Sequence, residues 1–363
     1  MSPDEGAAAP GFLPPGPHLR RPRYKGKNPR RFEDKYKEKD PARYAETFAK
    51  VLASGKTPAG THRPIMVEEI LAALKPRPGD FVVDCTLGYG GHARELLARI
   101  QPGGHLLGLD ADPHELPKTE RRLREAGYPP ETFTAHSGNF AGLTGYLAAF
   151  RIGAASDSAV PALADCLLAD LGVSSMQIDD PARGFSVKLD GPLDMRMNPT
   201  RGISAQGLLR RTTPAALEEI LADHADEPRS RDLARALAGG DFPTTKALAL
   251  AIRSASPRLS GPESELTVRR VFQALRIAVN DEFSALEMFL RQLPLCLNPG
   301  ARAAILSFHS GEDRRVKKSF EAGLRGGLYD EISPEVLRCG PQERHENPRA
   351  SSAKLRWVRR AGA

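Results

Sequence analysis

A glycine-rich turn between two short apolar segments, each ending in an aspartate, is the feature that most restricts the fold of this 363-residue chain. The first segment, Phe81 to Asp84, leads into Gly88-Tyr89-Gly90-Gly91-His92, and a helical pattern follows. The second segment ends at Asp110, at the usual distance of about 20 residues from the turn. This order predicts a strand, tight turn, helix and strand, the repeating unit of a parallel α/β sheet.

Such a unit binds ligands that carry a nucleoside. Glycine allows positive φ and close approach to the backbone, the helix N-terminus presents free N–H groups, and an acid at the second strand end accepts ribose hydroxyls. The dinucleotide fingerprint GxGxxG is not met, because Arg94 stands where the third glycine would be. The pattern therefore favours S-adenosylmethionine (SAM) over a dinucleotide, with Asp84 closing the first strand and Asp110 holding the ribose.

Polar or aromatic residues follow three later predicted strands. Phe140 is placed to stack on an adenine, although a phenylalanine here is as often part of the core. Asp170 ends the apolar strand that begins at Cys166, which makes it the best active-site candidate. A later strand ends in Ser307-Phe308-His309-Ser310, where His309 can move a proton, orient a ligand or simply be a hydrogen-bonded packing residue.

Two long segments separate these strands. The stretch after Asp170, LGVSSMQIDDPARGFSVKLDGPLDMRMN, has no clear period, and its apolar content argues against disorder, so we predict an ordered wall of the substrate site. From Ile203 to about Leu266 the periodicity predicts a helical insertion, and a longer helix, Glu265 to Leu293, leads back to the sheet. The basic side chains of the insertion fit either a polyanion or solvated helix faces.

Most of the formal net charge of +7 lies in the first 50 residues. We predict that residues 1–55 form a basic, largely disordered extension, which either contacts RNA phosphates or only solubilises the protein. Asp4 and Glu5 argue against a mitochondrial transit peptide, and no apolar run is long enough to span a bilayer or form a signal peptide. The four cysteines are widely spaced, without the grouping of a zinc site. The expectation is a cytoplasmic protein that binds neither membrane nor metal.

Several strings together resemble one known family. They are HRPIMVEEIL, DCTLGYGGHARELL, LADLGVSSMQID, RGFSVKLDGPLDMRMNPTRG, FQALRIAVNDEF, ILSFHSGEDRRVK and ENPRA. They resemble the RsmH (MraW) family, which methylates N4 of a cytidine in small-subunit (16S-type) ribosomal RNA with SAM. The likeness runs from about Thr61 to Arg360, so the first 60 residues lie outside it.

The resemblance implies a class I SAM-dependent methyltransferase sheet of the Rossmann-like α/β type, with a helical substrate-recognition insert. We expect the methyltransferase domain at residues 56–178 and 267–363 and the insertion at 179–266. The implied cofactor contacts are Gly90, Gly91, His92, Asp110, Phe140, Asp170 and Gln177. Asp170 is expected to accept a hydrogen bond from the reacting amino group. The weaker catalytic candidates are Ser174, Ser175, Asp194, Ser307 and His309.

The expected partner is small-subunit ribosomal RNA or the assembled subunit, and a homodimer is compatible with the sequence. Two other functional classes stay open. A dinucleotide-dependent oxidoreductase would need the third glycine and a site that handles hydride. A non-catalytic RNA-binding protein on a methyltransferase scaffold would bind RNA without binding SAM.

Overall fold

The computed structural model describes residues 64–150 and 163–362. The predicted basic extension and the Ala- and Ser-rich linker before residue 163 therefore lie outside the described residues. The strands are β1 (Phe81–Asp84), β2 (His105–Asp110), β3 (Phe133–Ser137), β4 (Ala164–Asp170), β5 (Leu297–Ser307), β6 (Tyr329–Ile332) and β7 (Lys354–Arg360). They form one sheet in the order β3-β2-β1-β4-β5-β7-β6. Neighbours from β3 to β5 pair in parallel, and β7 is antiparallel to both β5 and β6.

Helices cover both faces of this sheet. The described helices are α1 (Val67–Leu74), α2 (Gly91–Ile100), α3 (Leu116–Glu125), α4 (Leu143–Ala149), α5 (Ser175–Asp179), α6 (Ala205–Arg211), α7 (Pro214–Ala225), α8 (Ser230–Leu237), α9 (Thr245–Ala255), α10 (Gly261–Asn280), α11 (Glu282–Gln292), α12 (Ser310–Arg325) and α13 (Pro341–Glu346). None of them is long and apolar enough to cross a membrane.

The central strands are mostly apolar because they are buried on both faces. Successive side chains of a strand point to opposite faces, so Val82 and Val83 of β1 enter different hydrophobic clusters. The cluster around Val82 contains residues of α1, α2 and α3, and the cluster around Val83 contains residues of α4, α11 and α12. Two helical layers thus fix the sheet and leave the carboxyl ends of its parallel strands free to form a site.

A third hydrophobic cluster belongs to the helices inserted between β4 and β5. It is built from α6 to α10 and also takes in Leu193 and Met195 of the segment that follows β4. That segment is therefore ordered, as the sequence predicts. The predicted boundary at residue 266 falls inside α10, whose Val268 and Leu275 are part of this cluster.

The single helix expected from Glu265 to Leu293 is wrong. Asp281 has a φ of 50° and ψ of 40°, which ends α10 and starts α11 in a new direction. Aspartate adopts this left-handed conformation more readily than most residues. The amphipathic pattern continues on both sides of Asp281, so periodicity alone did not reveal the break.

Candidate active site

A cavity of about 410 Å³ opens at the carboxyl ends of the parallel strands. It is bounded by the turn after β1, by the residues that follow β2, β3 and β4, and by α5. On the opposite side it is closed by residues of α10, α11 and α12. Open α/β sheets place ligands at this edge, and most of the residues singled out in the sequence meet here. Within the described ranges, no group of three or more His, Cys, Asp or Glu side chains is arranged to hold a metal ion.

The two glycines of the turn have different surroundings. Gly91, the first residue of α2, lines the cavity. Gly90 is not part of the lining, and its N–H donates to the carbonyl of Leu87 (2.7 Å). Gly90 has a φ of 81°, and a Cβ there would lie 2.9 Å from Thr119 Cγ2 of α3. Gly90 thus allows the turn to pack against α3, while Gly91 offers its backbone to the cavity.

Asp110, at the end of β2, lines the cavity next to this turn. Its Oδ2 accepts the Gly88 N–H (2.7 Å) and its Oδ1 accepts the Asp112 N–H (2.8 Å). Each carboxylate oxygen can accept a further hydrogen bond, so the group keeps capacity for ligand hydroxyls. Burial raises the pKa of Asp110 to about 6. Asp84, the other strand-end acid, does not line the cavity and is only 1% exposed.

Phe140, beyond β3, packs on the core and also borders the cavity. Its ring packs edge-to-face on Phe289 of α11, with centroids 5.3 Å apart and an interplanar angle of 61°. The same side chain lines the cavity. A ring anchored in this way presents a fixed apolar surface to a flat ligand.

Asp170 ends β4 and faces the cavity, with 28% of its side chain exposed. Its Oδ1 is sealed from solvent and has no hydrogen-bond partner among the residues described, so the exposed oxygen is Oδ2, which lies 3.5 Å from His92 Nδ1. His92 Nε2 lies 2.9 Å from the Ile65 carbonyl, and because a carbonyl only accepts, the ring proton is on Nε2. Burial lowers the pKa of His92, which favours a neutral ring whose Nδ1 can accept a proton from Asp170. Burial, together with the charge of Glu312, raises the pKa of Asp170 to about 7.

Glu312, in the first turn of α12, is a second carboxylate of the cavity that the sequence analysis missed. Its side chain is 4% exposed, and Oε2 accepts the Phe308 N–H (2.9 Å). Burial raises the pKa of Glu312, but the His309 ring, whose Nε2 lies 3.2 Å from Oε1, and the charge of Arg276 bring it below its ordinary value. Glu312 and Asp170 thus share one cavity with pKa values shifted in opposite directions.

His309 and Ser307 do not line the cavity. His309 caps α12, where its Nδ1 accepts the Glu312 N–H at 3.4 Å, and it lies behind the Glu312 carboxylate. Ser307 is 2% exposed, and its hydroxyl lies 3.4 Å from the Lys354 carbonyl of the neighbouring strand. Neither side chain reaches a ligand in this cavity directly.

The wall predicted after β4 is tied to the end of β2 through Asp112. This buried carboxylate accepts from Gln177 Nε2 (2.9 Å) and Arg183 Nη1 (2.7 Å). Arg183 Nη2 in turn donates to the carbonyls of Arg196 (3.0 Å) and Met197 (2.8 Å). Burial raises the pKa of Asp112, but the hydrogen bonds from Arg183 and Gln177 bring it below its ordinary value. Because Met197 lines the cavity, this network connects the two sides of the site.

The insertion contributes two further cavity residues that the sequence analysis missed, Arg276 and Asn280. Arg276 of α10 donates from Nε and Nη2 to the two oxygens of Glu282, both at 2.8 Å. One turn later, Asn280 accepts the Met197 N–H (2.7 Å) and donates to the Met195 carbonyl (2.8 Å). The available signal was the string FQALRIAVNDEF, in which Arg276 and Asn280 are four residues apart and so share a helix face.

The parallel sheet with a reversed β7 next to β5, and a cavity between a glycine turn and a strand-end acid, define a class I SAM-dependent methyltransferase. SAM is the cofactor of this class. The model of the MraW methylase family matches residues 59–361, and the chain belongs to this family.

Three relatives illustrate the similarity. The chain is 46% identical over 357 residues to ribosomal RNA small subunit methyltransferase H 1 of Lachnoclostridium phytofermentans, covering 95% of this chain and 93% of that protein. It is 47% identical over 351 residues to methyltransferase H 2 of Alkaliphilus metalliredigens (94% and 97% covered). It is 40% identical over 316 residues to methyltransferase H of Anaeromyxobacter dehalogenans (82% and 97% covered).

The first two alignments bear on the N-terminal extension. Because 95% and 94% of this chain are covered, both include more than half of the first 60 residues. The family model begins at residue 59, which confirms that the likeness to the family as a whole begins near Thr61, and these two alignments extend beyond it.

Proposed function

We propose that this protein transfers a methyl group from SAM to the exocyclic N4 of a cytidine in small-subunit ribosomal RNA. The names of the relatives support the class of RNA. The observation that carries the reaction is Asp170, which lines the cavity beside the glycine turn and whose Oδ2 is not sealed from solvent. That oxygen is free to accept a proton from a substrate amino group.

The cavity residues fit SAM. Asp110 would accept hydrogen bonds from the ribose hydroxyls, and Phe140 would pack beside the adenine. The backbone at Gly91 would lie next to the methionine portion. His92 and Gln177 would act through their neighbours, because His92 is bonded to Ile65 and Gln177 to Asp112. When bound, SAM supplies an electrophilic methyl group on a sulfonium that departs with the bonding electrons.

The residues around Asp170 would manage the amino proton. The N4 lone pair of cytosine is delocalised into the ring, and a hydrogen bond from N4–H to Asp170 Oδ2 localises it. As the nitrogen–carbon bond forms, N4 becomes cationic and its proton passes to Asp170. A pKa of about 7 suits a base that works near neutral pH, and the protonated carboxyl can then donate to His92 Nδ1. Glu312, with its lowered pKa, stays ionised throughout.

The helical insertion would hold the RNA. We place it between residue 179 and the break at Asp281, because α10 shares the insertion's hydrophobic cluster. Exposed arginines that form no salt bridge within the described residues lie in α6, in α8 and directly before α8, and they are Arg210, Arg211, Arg229, Arg231 and Arg235. They suit phosphate contacts. The target base would have to be single-stranded or flipped, since an amine inside a duplex cannot reach the methyl group.

The experiment uses small subunits from cells that lack this enzyme, SAM with a labelled methyl group, and nucleoside mass spectrometry. We expect label in N4-methylcytidine and a large loss of single-turnover rate for Asp170→Asn, with SAM affinity checked by calorimetry. Label in another nucleoside, or a normal rate for the variant, would contradict the proposal. RNA binding without methyl transfer would support the non-catalytic alternative, and calorimetric binding of NAD in place of SAM would support the oxidoreductase.

The proposed substrate would place the protein in the cytoplasm, where small subunits are assembled. Whether naked RNA or the assembled subunit is the substrate is decided by running the same assay on both. The homodimer stays a prediction, which light scattering of the purified protein would measure.

A further inference from the structure

Arg276 is a rigid cation on the side of the cavity opposite the glycine turn. Two of its three nitrogens are committed to Glu282, and the two side chains are only 17% and 11% exposed. Its third nitrogen, Nη1, has no hydrogen-bond partner among the described residues, and it is not sealed from solvent. A guanidinium fixed by two bonds is a preorganised donor, so Nη1 offers two N–H groups at little entropic cost.

The surroundings of Arg276 indicate that these N–H groups serve a ligand. Asp170, Glu312 and Arg276 all line the same cavity. Burial lowers the pKa of Arg276, but the charges of Glu282 and Glu312 raise it above its ordinary value, so the side chain is a permanent cation. The cavity therefore combines an acceptor, Asp170 Oδ2, with a free donor, Arg276 Nη1. A purely structural ion pair would not need to leave a nitrogen open to the cavity.

This pattern matches the pairing edge of cytosine. Cytosine presents a donor at N4 and, next to it, an acceptor at N3, whereas uracil presents an acceptor at position 4 and a donor at N3. Resting on the function proposed above, we infer that Arg276 Nη1 donates a hydrogen bond to N3 of the target cytosine while Asp170 accepts from N4. Arg276 is then the residue that selects cytosine, and uracil would bring donor against donor and acceptor against acceptor.

The wall beside Arg276 supports the same role. Asn280, one turn along α10, binds both the Met195 carbonyl and the Met197 N–H. The Met197 side chain borders the cavity, which gives the face of a base an apolar surface. One face of α10 therefore provides the donor for the base edge and also holds the surface next to it.

The test pairs an atomic change in the substrate with a change in the protein. Small subunits are reconstituted with cytidine or 3-deazacytidine at the target position, the latter having C–H in place of N3. For the wild-type protein, 3-deazacytidine should lower kcat/KM by about 10- to 100-fold, the range for a hydrogen bond to a charged group. For Arg276→Lys, which keeps the charge beside Glu282 but loses the planar fork, kcat/KM for cytidine should fall similarly. The added penalty of 3-deazacytidine should then shrink to less than about 3-fold.

The matched control is Arg270→Lys, on the same helix but paired with Glu227 at 3.8 Å and away from the cavity lining. For Arg270→Lys, replacing cytidine by 3-deazacytidine should lower kcat/KM as much as it does for the wild-type protein. If Arg276→Lys also kept the full penalty, Arg276 would be structural only and the inference would be overturned. A second variant, Arg276→Met with Glu282→Met, removes both charges together and should behave as Arg276→Lys does, with unchanged SAM affinity. If the wild-type protein left both substrates unmethylated, the proposed function would fail instead.

Discussion

Asp170 is expected to lower the stability of the fold, because the carboxyl group proposed to act in catalysis is buried and its pKa is raised. Its pKa of about 7, against an ordinary value of 3.8, corresponds to about 4 kcal/mol at about 1.4 kcal/mol per pH unit. The folded protein holds a proton between these two pH values that the unfolded chain has released. The stability of the wild-type protein therefore falls as pH rises through this window. Replacing Asp170 by asparagine removes the titrating group while keeping its shape.

We expect Asp170→Asn to be more stable than the wild-type protein by about 2–4 kcal/mol at pH 8, allowing for the partial exposure of the side chain. This corresponds to a rise in Tm of about 4–8 °C. The gain should shrink as pH falls and vanish near pH 4. Differential scanning calorimetry without ligand, from pH 4 to 8, measures it. A difference in Tm that is negative at pH 8, or equal at both ends of the range, would refute the reasoning.

Asp313 provides a control of opposite sign. It lies one residue after Glu312, and it accepts from Arg356 (2.7 Å) and Lys354 (3.5 Å). Burial raises the pKa of Asp313, but these basic partners bring it below its ordinary value. Its stabilising effect is fully present above the unfolded pKa and is lost as pH falls through the folded pKa. Asp313→Asn should therefore lower Tm at pH 7, and the loss should diminish only under acidic conditions.

Three further variants probe the cofactor side and the wall. Gly90→Ala places a Cβ 2.9 Å from Thr119 Cγ2 at a φ of 81°. It should lower the free energy of unfolding by about 1–3 kcal/mol in urea titrations, and no change would mean that the turn relaxes freely. Asp110→Asn should weaken SAM binding by about 10- to 100-fold in calorimetry, so an unchanged affinity would remove Asp110 from the cofactor site. Arg183→Lys should raise KM for the small subunit by about 5-fold by loosening Met197, while equal losses for SAM and RNA would point to global damage.

The side of the cavity that we assign to SAM could be predicted from the sequence because each of its residues follows its own strand. Asp110 and Asp170 come directly after apolar runs, and the carboxyl ends of parallel strands meet at one edge of the sheet. The same rule made His309, after the end of β5, a candidate for the site, but this side chain does not line the cavity. His309 caps α12, and the side chain that lines the cavity is Glu312, three residues later, which lies beside the His309 ring. The direction of a side chain in the first turn of a helix depends on the cap, which periodicity does not show.

The substrate half could not be predicted because no single segment defines it. Arg276 faces the cavity only because α10 packs in the insertion and the chain breaks at Asp281, which brings Glu282 back to the guanidinium. The left-handed conformation of Asp281 does not interrupt the amphipathic pattern of the sequence, so hydrophobic periodicity does not show where the helix ends. The strand ends therefore indicate the class of cofactor, whereas the base selection that we propose for Arg276 depends on tertiary packing between helices.

This division of the site has a consequence for variants that are far from the chemistry. Leu275, next to Arg276 on α10, is fully buried in the insertion's hydrophobic cluster and does not line the cavity. Leu275→Ala would leave a void that α10 can fill only by shifting, and a core truncation of this kind costs about 2–5 kcal/mol. A shift of α10 moves the Arg276 donor and the wall held by Asn280, but not the ends of β2 and β4. We therefore expect kcat/KM for the small subunit to fall at least about 10-fold while SAM affinity stays within about 2-fold. Equal losses in both would show that the two halves of the cavity are not mechanically separate.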